Sequence, residues 1–143
     1  MKNFEAEINL LSALLRLTPA SSELRWERAV TFERWGNALL KRNDVDGALA
    51  KFRTCLAEKG QALLDANEPG DAKVDANRRL GLARNYLGVA TLERAQGRIA
   101  EARDDCQAAI RTLEERRESG TTKEINDVMQ DARNILKTLG LKC

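Results

Sequence analysis

Three cysteines and a scatter of carboxylates are the side chains here whose chemistry could reach beyond packing. Histidine is absent, which removes the commonest general base and the commonest metal ligand. The cysteines are Cys55, Cys106 and Cys143. None forms a C-x-x-C pair and their number is odd, so neither a disulfide framework nor a zinc site is expected. A reducing, cytoplasmic setting suits them better. Cys55 and Cys106 fall where small apolar residues pack and are expected to be inert buried thiols, whereas Cys143 is expected to be exposed.

Paired carboxylates such as Asp104-Asp105 and Glu114-Glu115 suggest acid–base chemistry at first sight. Adjacent residues on a helix point about 100° apart and do not share a site. No glycine-rich phosphate loop, nucleophile elbow or metal-ligand spacing occurs. No catalytic residue, cofactor or metal is therefore expected, and the chain does not read as an enzyme. With 24 basic and 22 acidic residues the net charge is +2. That balance gives no general pull toward nucleic acid or a membrane surface. No stretch is long and apolar enough to span a bilayer, and Glu5, Glu7 and Arg16 interrupt the leucines near the start, which separates them from a signal peptide.

Helices must supply whatever surface this chain presents. Charged residues make up 32% of it and are interleaved with Ala and Leu, a mixture that favours helices with wet outer faces. The breaks at Pro19, Pro69 and Ser119-Gly120 lie about fifty residues apart, within the range of repeat arrays. Weaker breaks at Asn43-Asp44 and Gln96-Gly97 divide the segments between them. Six helices follow, running from about Asn3 to Leu17, Ser22 to Arg42, Asp44 to Ala66, Asp71 to Gln96, Arg98 to Glu118, and Thr121 to Gly140. Ser22 and Asp44 are suitable N-caps, and Thr121-Thr122-Lys123-Glu124 reads as a capping box. The turn Asn67-Glu68-Pro69-Gly70-Asp71 must end the third helix. Links this short force neighbouring helices antiparallel.

The second and third helices pair, as do the fourth and fifth. The first pair reads Phe32-x-x-Trp35-Gly36-x-x-Leu39, then Ala48-x-x-x-Phe52-x-x-Cys55. The second reads Arg84-x-x-Leu87-Gly88-x-x-Thr91, then Ala102-x-x-x-Cys106-x-x-Ala109. In each, a glycine lets the partner helix approach, a small alanine fits against it, and the residue four further on fills the next turn. Gly36 and Gly88 are expected at close helix crossings, and Trp35 and Phe52 in the core. Trp26 is expected to pack against the first helix.

This pattern resembles the tetratricopeptide repeat from about Ser22 to Glu118. Arg84 stands where a large aromatic is usual, and two extra residues separate Gly88 from Ala102. The long repeat, with Asn-Glu-Pro-Gly-Asp between its copies, is similar to arrays in bacterial signalling proteins, some of which carry an effector domain upstream. The resemblance implies an all-α fold of antiparallel helix pairs, a TPR-like α-solenoid of about six helices. As one domain over residues 1–143 it divides into an N-terminal flanking helix (1–20), two repeats (21–68 and 69–119) and a C-terminal capping helix (120–143).

The resemblance also implies a concave groove lined by the first helix of each pair. Val30, Glu33, Asn37, Leu40 and Lys41 would face it in the first repeat, and Leu82, Asn85, Val89, Leu92 and Glu93 in the second. A protein or peptide is the expected ligand. Glu33 stands where the repeats that clamp acidic chaperone tails use lysine, so that partner is not expected. On the first helix, Phe4, Ile8, Leu10, Leu11 and Leu14, with Leu15 and Leu17, cover about half the circumference, wider than one packing contact needs. The excess implies self-association, as a homodimer, or continuation into an upstream domain of the same polypeptide. In the sixth helix, Ile125, Val128, Met129, Ala132, Ile135, Leu136 and Leu139 form one apolar stripe, as a terminal cap requires.

Overall fold

The computed structural model describes residues 3–65, 72–114 and 123–140. The expected turn at 67–71, the break at Ser119-Gly120, the capping-box threonines Thr121 and Thr122, and Cys143 lie outside the described residues. Six α-helices and no strand occur among those described. They are α1 (Phe4–Leu17), α2 (Ser22–Lys41), α3 (Val45–Asp65), α4 (Ala72–Ala95), α5 (Ile99–Glu114) and α6 (Lys123–Thr138).

Local sequence chemistry starts the helices. Asn3 caps α1, its side chain accepting from the Ala6 N–H at 3.0 Å. Asp44 caps α3 through Oδ1, which accepts from the Gly47 N–H at 3.0 Å. The cap of α2 is Ser21, one residue before the expected Ser22: its hydroxyl accepts from the Leu24 N–H at 3.2 Å. Each cap satisfies a backbone donor that the first turn leaves open.

The chain divides into two compact units, Met1–Pro69 and Gly70–Cys143. The boundary falls where the sequence separates its two repeats. In the first unit α1 packs on α2, and α2 pairs with α3. Ala29, Ala48, Leu49, Cys55 and Leu56 are buried there. In the second unit α4 pairs with α5, and α6 packs against both. Its core joins Ala83, Leu87 and Ala90 on α4, Ala102, Cys106 and Ala109 on α5, and Val128, Met129, Ala132 and Leu136 on α6. The opposite side of α6 is wet, with Asn126, Asp127, Asp131, Asn134 and Lys137 all exposed. One buried stripe and one solvated side make α6 an amphipathic helix.

The corners of the two helix pairs are the same construction fifty-four positions apart. Asn43 has φ 63° and Gly97 has φ 76°. Asn43 N–H donates to Leu40 O and Asp44 N–H to Leu39 O, each at 3.0 Å. Gly97 N–H donates to Arg94 O at 3.0 Å and Arg98 N–H to Glu93 O at 2.9 Å. Both are Schellman motifs, which reverse the chain while satisfying the last carbonyls of the helix.

That offset corrects the register of the second repeat. It carries Ala29 onto Ala83, Ala48 onto Ala102 and Cys55 onto Ala109, all buried. It also carries Phe32 onto Tyr86, Trp35 onto Val89, Gly36 onto Ala90 and Leu39 onto Glu93. The irregularities expected in the second pair, an arginine in the aromatic position and two surplus residues, vanish in this register. Gly88 is not at a close crossing: it is exposed, and nothing lies within 4 Å of where a Cβ would stand. Gly36 is, because a Cβ there would lie 2.6 Å from Phe52 Cε1.

Candidate protein-interaction surfaces

Polar bridges fix the face of the first unit. Arg28 on α2 forms a two-pronged pair with Glu58 on α3, with Nη2 to Oε1 at 2.8 Å and Nε to Oε2 at 3.1 Å. Its Nη1 donates to Ser12 Oγ on α1 at 3.1 Å, so one guanidinium ties three helices. Such charge-assisted, two-pronged geometry sets orientation as well as energy. The next residue of α3, the buried Lys59, donates from Nζ to Glu33 Oε1 at 3.0 Å and sits over the Trp26 ring, 4.9 Å from its centroid. Trp26 thus meets α3 through Lys59.

Aromatic contacts hold the other end of the α1–α2 contact. Trp35 is stacked with Phe4 of α1 and with Phe32, at centroid separations of 6.0 and 6.4 Å. Lys51 Nζ lies 3.7 Å from the Trp35 centroid, a cation–π contact. Trp35 and Phe52 are half-buried.

Two open depressions flank α1. One, of about 390 Å³, lies between Glu7, Leu10 and Leu11 of α1 and Glu27, Val30, Thr31 and Arg34 of α2. The other, of about 430 Å³, is bounded by Asn3, Phe4, Glu5, Trp35, Ala38, Leu39 and Arg42. Leu15 is buried against α2, while Leu10, Leu14 and Leu17 are 62, 38 and 80% exposed. Projected around α1, these three share one side with Ala6 and Ala13, and no polar residue falls among them. Ile8 and Leu11 are half-buried.

The residues expected to line a concave groove separate into two groups. In the first unit Val30 lines the α1–α2 depression, Leu40 is half-buried, and Asn37 and Lys41 are exposed. Glu33 is engaged by Lys59. In the second unit Leu82, Val89 and Glu93 are 4, 2 and 1% exposed, so they belong to the interior and not to a groove. Asn85 and Leu92 are half-buried. The fifty-four-residue offset explains the difference: the counterparts of Val30, Glu33, Asn37, Leu40 and Lys41 are Arg84, Leu87, Thr91, Arg94 and Ala95. Two of these, Leu87 and Thr91, border a depression of about 340 Å³ with Gly88, Asp131, Asn134 and Ile135. Arg94 closes its helix onto α6, donating from Nη1 to Thr138 Oγ1 at 2.8 Å. Counting back from Ala102 by the twelve positions that separate Gly36 from Ala48 would have found Ala90 and this register.

Both described thiols are buried, and desolvation pushes Cys55 up to about 12 and Cys106 up to about 11. A thiol so disfavoured as thiolate is a poor nucleophile at neutral pH. No group of three or more histidine, cysteine or acidic side chains that could hold a metal occurs among the described residues, and no described helix is long and apolar enough to cross a membrane.

No family model matches the chain, and neither a curated protein nor a solved structure matches it.

Proposed function

We propose that this chain is a protein-interaction module built from two long repeats of the tetratricopeptide kind, and that its first unit offers the binding surface. The observation that carries the reading is the depression between α1 and α2, where Leu10, Leu11 and Val30 form an apolar floor and Glu7, Glu27 and Arg34 a charged margin. Apolar floors with polar rims are the usual make-up of protein contact sites. Val30 also stands at a ligand-facing position of the repeat that the sequence resembles. The ligand is a protein segment with apolar side chains, and the module does no chemistry on it. A place within a signalling protein follows from the same resemblance, and a cytoplasmic setting from the odd number of cysteines without a C-x-x-C pair.

A second reading is favoured by a separate observation. Leu10, Leu14 and Leu17 stand open beside the depression, as expected of a connector or dimerisation segment in a larger protein.

Affinity capture followed by mass spectrometry, with wild-type chain beside Val30→Glu, tests the module. Partners held by wild type and lost by a folded Val30→Glu chain support it. Identical partner sets for both chains would remove the α1–α2 depression from the account.

A further inference from the structure

The depression and the leucine stripe meet at Leu10, and we infer that their occupant is a second copy of this chain, docked about a two-fold axis with the α1 helices antiparallel. The inference rests on the α1–α2 surface being the binding surface, and it names what covers it.

Charge pattern selects this occupant. Glu27 and Arg34 are seven residues apart on α2, about two turns, so they share one face. Both line the depression and are exposed, and neither forms an ion pair among the described residues. The pair runs from acid nearer the helix start to base nearer its end. A parallel copy would set glutamate against glutamate and arginine against arginine. An antiparallel copy sets each acid against the other copy's base.

The axis lies at the level of Leu10. The depression places Leu10 of α1 beside Val30 and Thr31 of α2. A two-fold axis at that level brings Glu27 of each copy opposite Arg34 of the other. The residues nearest the axis, Leu10, Val30 and Thr31, are uncharged, so no charge meets its own image. Self-complementarity of this kind is what a closed two-fold interface requires. Leu14 of each copy then covers the stripe of the other, and the two helix hairpins form a four-helix layer. With one stripe and one shallow depression per copy, the contact lies at the small end of specific interfaces, below about 1,200 Å² in total. A reversible dimer follows.

Sedimentation equilibrium on the whole chain, from about 10 μM to about 1 mM, should show association toward twice the 16.0 kDa of one chain. Glu27→Arg and Arg34→Glu are surface changes that leave the fold intact by circular dichroism. Each alone puts like charges across the axis at two places and should weaken dimerisation by about tenfold or more. An equimolar mixture of the two should recover it, because the mixed dimer restores both opposite-charge contacts. A wild-type chain that stays monomeric throughout overturns the homodimer. So does a dimer indifferent to both reversals. If that monomer still captures another protein through Val30, the homodimer alone is lost and the interaction module stands. If Val30→Glu captures the same partners as wild type while the dimer persists, the module reading is lost on its own evidence.

Discussion

Gly36 and Phe52 leave no space between them: a Cβ added to Gly36 would lie 2.6 Å from Phe52 Cε1 and 2.7 Å from Cδ1. Fifty-four positions later the same two places hold Ala90 and Cys106, both fully buried. One pair combines the smallest residue with a ring, the other a methyl with a thiol, so volume is exchanged across the helix contact. Overpacking costs about 1–3 kcal/mol, and replacing a mid-helix glycine by alanine returns about 1 kcal/mol. Gly36→Ala should therefore destabilise by about 1 kcal/mol in wild type and stabilise by a similar amount in a Phe52→Cys background. Urea unfolding of the four chains measures the coupling. Equal effects in both backgrounds would remove the crossing.

At Gly88 the same substitution has the opposite outcome. This glycine is in the interior of α4, exposed, with nothing within 4 Å of a built Cβ. Alanine there loses no contact and restricts the unfolded chain, so Gly88→Ala should stabilise by about 0.5–1 kcal/mol. Thermal melts check the sign, and a lowered midpoint contradicts the corrected register.

Much of this was legible in the sequence. The six helices follow from apolar spacing and breaks, and α1 and α2 begin and end within a residue of the expectation. The register of the second pair was not, because Leu87-Gly88 imitates Trp35-Gly36 while the residue that fits the core is Ala90. The groove position expected for Glu93 fails for the same reason. Periodicity sets Glu93 four residues after Val89 and seven after Tyr86, on the buried side, but a carboxylate there reads as surface charge. The engagement of Glu33 by Lys59 was hidden similarly: lysine in α3 reads as solvent-facing until its stem is packed and its ammonium held. The open side of α1 was readable because its apolar arc exceeds what one neighbour covers.

The two corners make a matched test. Asn43 and Gly97 hold φ of 63° and 76°, a region costly for side chains other than glycine and, less so, asparagine. Asn43→Gly should be neutral or stabilise by up to about 1 kcal/mol, and Gly97→Ala should destabilise by about 1–2 kcal/mol. Chemical denaturation of both variants measures this. A Gly97→Ala chain as stable as wild type would mean the turn is not the Schellman reversal.

The thiols give a pH dependence with a fixed sign. Burial raises Cys55 from 9.0 to about 12 and Cys106 from 9.0 to about 11. The folded chain holds these protons more tightly than the unfolded one, so their contribution to stability is intact below about pH 9 and is lost as pH rises toward 11–12. At neutral pH a polar maleimide should leave both unmodified in native chain and label both in denaturant, as mapped by peptide mass. Melting points should fall above about pH 9, and less steeply when both cysteines are alanine. Rapid labelling of the native chain would place these thiols outside the core.

Site-specific photo-crosslinking tests most directly whether the α1–α2 surface binds protein. A benzophenone side chain at Val30, on the floor of the depression, is compared with one at Gln130, on the exposed side of α6. A covalent protein adduct is expected from Val30, either a second copy or another chain, that is lost on adding Leu10→Glu, and none above background from Gln130. Equal adducts from both positions, or none from Val30 in folded protein, would contradict it.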